Sequence, residues 1–208
     1  ALLDADGDGD MDIATTNRQS GDVSLLLNTG SGVFASEFRF QAGVSGETGI
    51  SSCDMDNDGI LDLVIGGYYS DNVTIRKGTG DGTFVAHTTR SIGTEPWMVV
   101  TGDLNGDGWP DIAAPLASGS AGAGIIMNDG SGGLLPATTY PAGNFPISIE
   151  IGDMNGDGRE DVLVPTGEKE VSQWAFDAET VQRLLLFPPP AIPQLRHILQ
   201  GDLRSSSP

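Results

Sequence analysis

Cysteine, basic residues, histidine and long hydrophobic runs are all scarce in this 208-residue chain. The single cysteine excludes an internal disulfide framework. Because 10 Lys and Arg stand against 29 Asp and Glu, the formal net charge of -19 argues against a nucleic-acid partner and an anionic membrane surface. No apolar run approaches the ~20 residues of a transmembrane helix, so no membrane insertion is expected. With two histidines and no G-x-S-x-G motif, no catalytic residue is assigned.

Acidic residues, glycine and short apolar runs are abundant instead. Disorder would account for the acidity, but 38% of the residues are hydrophobic, and β-rich runs such as DLVIGGYY and DVLVP recur. The 30 Gly and 12 Pro are spread among these runs, which favours many strands joined by turns. The chain starts mid-pattern at Ala1, so we expect a mature chain or an excised piece.

An acidic motif, D-x-[DN]-x-D-G-x-x-D, occurs four times at intervals of about fifty residues. The copies are DADGDGDMD, DMDNDGILD, DLNGDGWPD and DMNGDGRED, and they begin at Asp4, Asp54, Asp103 and Asp153. Glycine-rich turns, GSGVF, GDGTF and GSGGL, keep the same period. Each period holds about four short extended runs, which is typical of a β-propeller blade and not of a helical solenoid. The sequence predicts an all-β propeller of four four-stranded blades, as a partial ring or a closed four-bladed ring.

The third period illustrates the prediction of four strands. They are Asp111–Ala117, Gly124–Asn128, Leu134–Tyr140 and Pro146–Gly152.

The acidic loops have the donor set of a calcium site. Positions 1, 3 and 5 supply side-chain oxygens to one side of a tight turn, and Gly at position 6 allows the bend. Position 7 varies freely, as expected if only its backbone carbonyl faces the ion, and position 9 is always Asp. An EF-hand also needs a Glu at position 12 and flanking helices, but position 12 here is Thr15, Ile65, Ala114 or Val164 in β-rich runs. We therefore expect about four Ca²⁺ ions in β-hairpin loops.

Repulsion among the carboxylates predicts that the ions stabilise the fold, and the affinity of such sites indicates where the protein works. One carboxylate pair at ~4 Å repels by about 4 kcal/mol at an effective dielectric of 20, which bound Ca²⁺ would offset. Weak sites of this class fill only where calcium is near millimolar, so the protein is expected outside the cell, secreted or at the cell surface. The first two loops carry Asp at position 3 and the last two carry Asn105 and Asn155, which predicts weaker binding at the last two.

The loops, the NTGSGVF and GTGDGTF turns and the stretch YPAGNFPISIEIGDMNGDGRED resemble FG-GAP/VCBS repeats, the blades of integrin α-type β-propellers. The resemblance covers about residues 1–166 and implies calcium in the hairpin between the first two strands of each blade. The implied ligands, with position 7 acting through its backbone, are Asp4, Asp6, Asp8, Asp10 and Asp12; Asp54, Asp56, Asp58, Ile60 and Asp62; Asp103, Asn105, Asp107, Trp109 and Asp111; and Asp153, Asn155, Asp157, Arg159 and Asp161.

Residues 167–208 depart from the repeat pattern. They are predicted to hold the divergent end of the last blade and a degenerate strand, Leu195–Gly201, that closes the ring on the first blade or begins a fifth. Because closure removes exposed strand edges, an unclosed chain is expected to form a homo-oligomer.

The predicted function is that of a calcium-stabilised binding or adhesion scaffold for a protein or glycan, with carbohydrate recognition as one form. The alternative is a propeller domain, non-catalytic or associated with a lyase or hydrolase, within a larger secreted enzyme. Aromatic side chains suit sugar stacking, although such rings also fill gaps between blades. The candidate ligand contacts are Tyr68, Tyr69, Trp97, Trp109 and Tyr140.

Overall fold

A computed structural model describes residues 1–118, 122–142 and 145–165, and the backbone of two further strands at 171–176 and 181–186. Sixteen strands are described, in four antiparallel sheets of four, and each sheet is ordered as its strands follow in the chain. The strands are β1 (Leu2–Leu3), β2 (Asp12–Asn17), β3 (Asp22–Leu26) and β4 (Phe38–Gln41); β5 (Glu47–Cys53), β6 (Asp62–Gly67), β7 (Asn72–Gly78) and β8 (Phe84–Ser91); β9 (Val100–Gly102), β10 (Asp111–Leu116), β11 (Gly122–Ile126) and β12 (Thr138–Pro141); and β13 (Glu150–Gly152), β14 (Asp161–Pro165), β15 (Val171–Phe176) and β16 (Val181–Leu186).

The predicted four sheets of four strands are confirmed. In the third sheet the predicted Leu134–Tyr140 strand begins later, at Thr138, because Leu134 makes only an isolated bridge to Asn128 and Pro136 has no N–H for a ladder. The predicted Pro146–Gly152 strand is reduced to β13, which is the first strand of the fourth sheet. Closure by Leu195–Gly201 lies outside the described residues and stays a prediction.

The hydrophobic core lies between consecutive sheets. Side chains of β6 alternate: Leu63 and Ile65 pack toward the first sheet, whereas Val64 packs toward the third. Every residue of β6 and β10 is buried, because both faces of these strands are covered. This explains why they read as continuous apolar runs and not as alternating ones. A third cluster, which includes Ile125 of the third sheet, joins that sheet to the fourth.

Alternating strand direction gives each sheet two ends with different loops. In all four sheets the connection between the first and second strands carries the acidic motif, and in the first three the connection between the third and fourth strands carries the glycine-rich turn. Both kinds of connection lie at one end, here called the acidic-loop end. In the first three sheets the connections between the second and third strands lie at the opposite end, together with those that lead to the next sheet. Among the residues that the structure describes, no helix is long and apolar enough to cross a membrane.

Candidate metal loops and a surface aromatic cluster

Each acidic loop is folded by hydrogen bonds from its own backbone to its first carboxylate. In the first loop, Asp4 accepts from the N–H groups of Gly7 (2.9 Å) and Gly9 (3.0 Å). Gly9 has φ of +90°, a conformation that glycine adopts without strain. Corresponding bonds reach Gly59, Gly108 and Gly158 in the other loops, at 2.7, 2.8 and 3.0 Å. The glycine at position 6 is therefore required by the turn.

Carboxylates at positions 1, 3 and 5 converge in the first two loops. One oxygen from each of the first three alternating aspartates lies within 4.8 Å of the others, both in the loop that starts at Asp4 and in the loop that starts at Asp54. The pKa of Asp6 is raised, chiefly by loss of hydration and further by repulsion from its acidic neighbours. In the second loop, Asp56 Oδ1 is buried without a hydrogen-bond partner. Hard oxygen donors, one of them unpartnered, fit a Ca²⁺ ion.

The last two loops have the same backbone with one fewer charge. Asn105 Oδ1 accepts from the Asp107 N–H (2.8 Å), as Asn155 Oδ1 does from the Asp157 N–H (2.8 Å). The Asn105 amide nitrogen also donates to Asp107 Oδ2 (2.9 Å). These loops therefore offer side-chain oxygens at the same positions, with a neutral amide at position 3.

Position 7 contributes its backbone to the turn. The N–H groups of Asp10, Ile60, Trp109 and Arg159 donate to the carboxylate at position 5, at 2.8, 2.9, 2.9 and 3.0 Å. The contact is the same for four unrelated side chains. This explains why residue type is free at position 7.

The aspartates at position 9 are buried and each accepts a backbone N–H from its own loop. Asp12, Asp62 and Asp111 are at most 1% exposed, and each also accepts an N–H from the last residue of the third strand of its sheet or from the second residue beyond that strand. Asp161 accepts the Met154 N–H at 3.1 Å. Burial raises the pKa of Asp62, and raises that of Asp111 to about 6. These carboxylates therefore hold the loop to the sheet, a role that the motif spacing alone does not reveal.

The glycine-rich turns pack against the acidic loop of the preceding sheet. Gly82 N–H donates to the Ala5 carbonyl (2.9 Å), and the Asn128 side chain donates to the Met55 carbonyl (2.9 Å). A Cβ on Gly132 would lie 2.5 Å from the Asp56 Cβ. The two periodic motifs thus form one continuous surface across sheet boundaries.

Three of the five candidate aromatic residues meet at the opposite end. Tyr68 contacts both Tyr69 and Trp97 edge to face, at centroid distances of 5.2 and 5.4 Å. The Arg18 guanidinium, from the β2–β3 turn, lies 5.0, 5.1 and 5.4 Å from the centroids of Tyr68, Tyr69 and Trp97, and Arg18 donates to the Tyr69 hydroxyl (3.0 Å). We call these four residues the aromatic cluster. It joins turns of the first two sheets to Trp97, which lies in the connection between the second and third sheets and donates its N–H to the Pro115 carbonyl of β10 (3.1 Å).

A surface cavity of about 350 Å³ lies beside the aromatic cluster, lined by Arg18, Gln19 and Tyr69. Tyr69 is 66% exposed, and its ring lies on Gly46, where a Cβ would come within 2.4 Å of it. Sequence reasoning missed Arg18, because only the fold brings the β2–β3 turn to the aromatic rings.

The other two aromatic candidates lie elsewhere. Trp109 is at the acidic-loop end, partly buried, with its indole nitrogen beside Gly130. Tyr140, on β12, packs partly buried against the core between the third and fourth sheets. The structure therefore assembles one aromatic surface and not five equivalent contacts.

Antiparallel four-stranded sheets that pack in succession, each with an acidic loop between its first two strands, define a propeller-like repeat protein. A sequence model described as the FG-GAP-like repeat matches residues 4–65 and 54–114, which together span more than half of the chain. The chain belongs to the FG-GAP-like repeat family. No curated protein matches it.

Solved structures share this fold at low sequence identity. A lectin from Agrocybe aegerita, described as recognising non-reducing terminal N-acetylglucosamine, is 22% identical with a TM-score of 0.60, over 88% of this chain and 51% of the lectin. BBS1N in complex with ARL6DN is 11% identical with a TM-score of 0.59, over 89% of this chain and 55% of that one. The V. cholerae biofilm matrix protein Bap1 is 19% identical with a TM-score of 0.55, over 88% and 28%. At these identities the likeness establishes the fold alone, and this chain spans about half or less of each relative.

Proposed function

We propose that this chain is an extracellular binding module whose propeller-like fold is stabilised by calcium in its four acidic loops. The observation that carries the proposal is the convergence of alternating carboxylates at positions 1, 3 and 5 on one repeated turn. The side chains at positions 1, 3, 5 and 9 and the carbonyl at position 7 would hold the ion, since each carboxylate oxygen that accepts one N–H keeps a second lone pair. Bound calcium supplies the positive charge that offsets repulsion among these carboxylates.

Thermal unfolding with and without a chelator tests the calcium role. At a free calcium concentration of ten times Kd, each site adds about 1.4 kcal/mol, so four sites add about 6 kcal/mol, comparable with the stability of a whole domain. We expect a large fall in Tm on chelation, restored by calcium and not by magnesium at the same concentration, because Mg²⁺ demands a smaller octahedral cage. An unchanged Tm would refute a structural role for calcium. Light scattering on the same samples measures whether the chain associates.

We assign ligand contact to the aromatic cluster, with a carbohydrate as the expected ligand. The exposed Tyr69 ring offers a stacking face, and Arg18 keeps N–H donors beyond the one directed at the Tyr69 hydroxyl. The adjacent cavity of about 350 Å³ is of the size that small ligands occupy. A lectin and a biofilm matrix protein with the same fold are consistent with such a role.

A glycan array tests this assignment, with matched aromatic substitutions. Tyr69→Ala is expected to abolish binding, whereas Phe38→Ala, which removes a half-exposed ring from an outer strand, is expected to leave it unchanged. Tyr69→Phe removes only the hydroxyl that Arg18 contacts, and separates stacking from the hydrogen bond. If the array gives no reproducible binding to the wild type, the carbohydrate assignment fails, and a protein ligand becomes the object of the search.

A further inference from the structure

The second acidic loop carries its own cation. Lys77, on β7, places its Nζ 3.0 Å from Asp58 Oδ2 and in contact with Asp56 Oδ2. These carboxylates occupy positions 5 and 3 of the loop, two of the three that converge there. The ion pair is partly shielded from water, with side-chain exposures of 32% for Lys77, 18% for Asp56 and 32% for Asp58. The ammonium therefore lies against the atoms that would bind a metal ion.

The strand register shows that this lysine is peculiar to the second loop. Leu63 pairs with Arg76, so Lys77 stands opposite the position-9 aspartate Asp62. In the first sheet Ile13 pairs with Leu26, and in the third Ile112 pairs with Ile126. The equivalent residues are therefore Leu27 and Met127, both apolar.

The first loop provides an internal comparison. Both loops carry Asp at positions 1, 3 and 5, and in both the three ligand oxygens lie within 4.8 Å of one another. The loops thus have the same acidic ligands at these positions. They differ in the residue on the neighbouring strand, Lys77 in the second and Leu27 in the first, and at position 7, which is Ile60 in the second and Asp10 in the first. Replacement of Lys77 within the second loop separates the first difference from the second.

We infer that Lys77 is a built-in counter-ion that makes the second loop less dependent on calcium than the first, although both loops carry Asp at positions 1, 3 and 5. This inference rests on the proposed calcium function. A divalent ion in the second loop must displace the ammonium or bind against its repulsion, and both lower its affinity. In calcium-free protein the same ammonium offsets carboxylate repulsion, so the second loop stays folded when the first is strained. The position-3 residues alone would rank these two loops as equal.

Calcium titration followed by two-dimensional NMR tests the inference loop by loop. The amides of Gly9 and Gly59 donate to the position-1 carboxylate of their loops, at 3.0 and 2.7 Å, and report on each site separately. In the wild type we expect the Gly59 amide to respond at a calcium concentration about tenfold or more above that for Gly9, given the strength of a charge repulsion at ~5 Å. In Lys77→Met, which copies the residue of the third sheet, the two midpoints should approach each other.

Two further variants guard against indirect effects. Leu27→Lys should weaken calcium binding at the first loop and shift the Gly9 midpoint to a higher calcium concentration. Arg39→Met is the control for a general loss of positive charge. It removes a guanidinium that pairs with Asp22 and Glu37, away from the acidic loops, and should shift neither midpoint. In chelator, Lys77→Met should melt at a lower temperature than the wild type. If Lys77→Met leaves both the Gly59 midpoint and the chelator Tm unchanged, the inference is overturned while the calcium function stands. If neither amide responds to calcium in any variant, the calcium function fails and the inference fails with it.

Discussion

Replacement of Asp12 by alanine is expected to destabilise the protein even when no calcium is present. Asp12 is fully buried, and its two carboxylate oxygens accept the Ala5 N–H and the Asn28 N–H, both at 2.8 Å. The first of these bonds holds the acidic loop, and the second holds the chain just beyond β3. Alanine has no acceptor for either donor, and the site is too enclosed for water to reach both without local opening.

The magnitude follows from the two unpaired donors. A buried donor left without a partner costs about 1–3 kcal/mol, so two cost about 2–6 kcal/mol. Typical domains are stable by about 5–15 kcal/mol, so the loss is a large part of the total. Asp12→Asn keeps one acceptor oxygen and should fall about midway between alanine and the wild type.

Urea unfolding in excess chelator, followed by tryptophan fluorescence and circular dichroism, measures the effect apart from metal binding. Asp10→Ala is the matched control, since it removes the same side chain from the same loop at position 7, where the backbone makes the contact, and should change the unfolding free energy by less than about 0.5 kcal/mol. The reasoning is refuted if Asp12→Ala in chelator lies within that margin of the wild type, or if the two alanine variants are equally unstable.

Three further outcomes are expected. Gly132→Ala should lower the Tm of the protein and the calcium affinity of the second loop, because Gly132 has φ of +83° and the added Cβ would lie 2.5 Å from the Asp56 Cβ. A Tm equal to that of the wild type would contradict the packing of this turn on the loop. Burial raises the pKa of Cys53 from 9.0 to about 11, so iodoacetamide should alkylate the native thiol about 100-fold more slowly than the unfolded one at pH 8, and equal rates would refute this. Burial also raises the pKa of Asp111 from 3.8 to about 6, so its contribution to stability is complete below pH 3.8 and is lost as the pH rises through about 6. In chelator the wild type should therefore lose about 3 kcal/mol relative to Asp111→Asn between about pH 4 and pH 7, and parallel pH profiles would exclude that assignment.

The repeat spacing was sufficient to predict the four sheets and the position of each acidic loop. A fifty-residue period with fixed acidic positions is a local signal, since every loop folds on hydrogen bonds within nine residues, as Asp4 does with Gly7 and Gly9. The strand limits were predicted less accurately. The apolar residues at Leu134 suggest the start of a strand, but Leu134 makes only an isolated bridge.

Contacts between distant segments could not be predicted from the spacing. Lys77 lies 21 residues from Asp56, and only the register of β6 with β7 brings them together. Arg18 lies 51 residues from Tyr69, on a different sheet. The double hydrogen bonding of Asp12 depends on an N–H beyond β3, 16 residues away. Each of these contacts depends on how strands pair or sheets pack, which a single sequence does not record.

The glycine-rich turns of the second and third sheets link each of these sheets to the acidic loop before it. Gly82 binds the loop before it through Ala5, and Asn128 binds the loop before it through Met55. A loop that loses its ion and loosens therefore disturbs the following repeat through this contact. The repeats then form a chain of nearest neighbours, and the contact at each junction is lost whichever of its two partners loosens. Calcium bound at one loop would therefore also support the repeat that follows it.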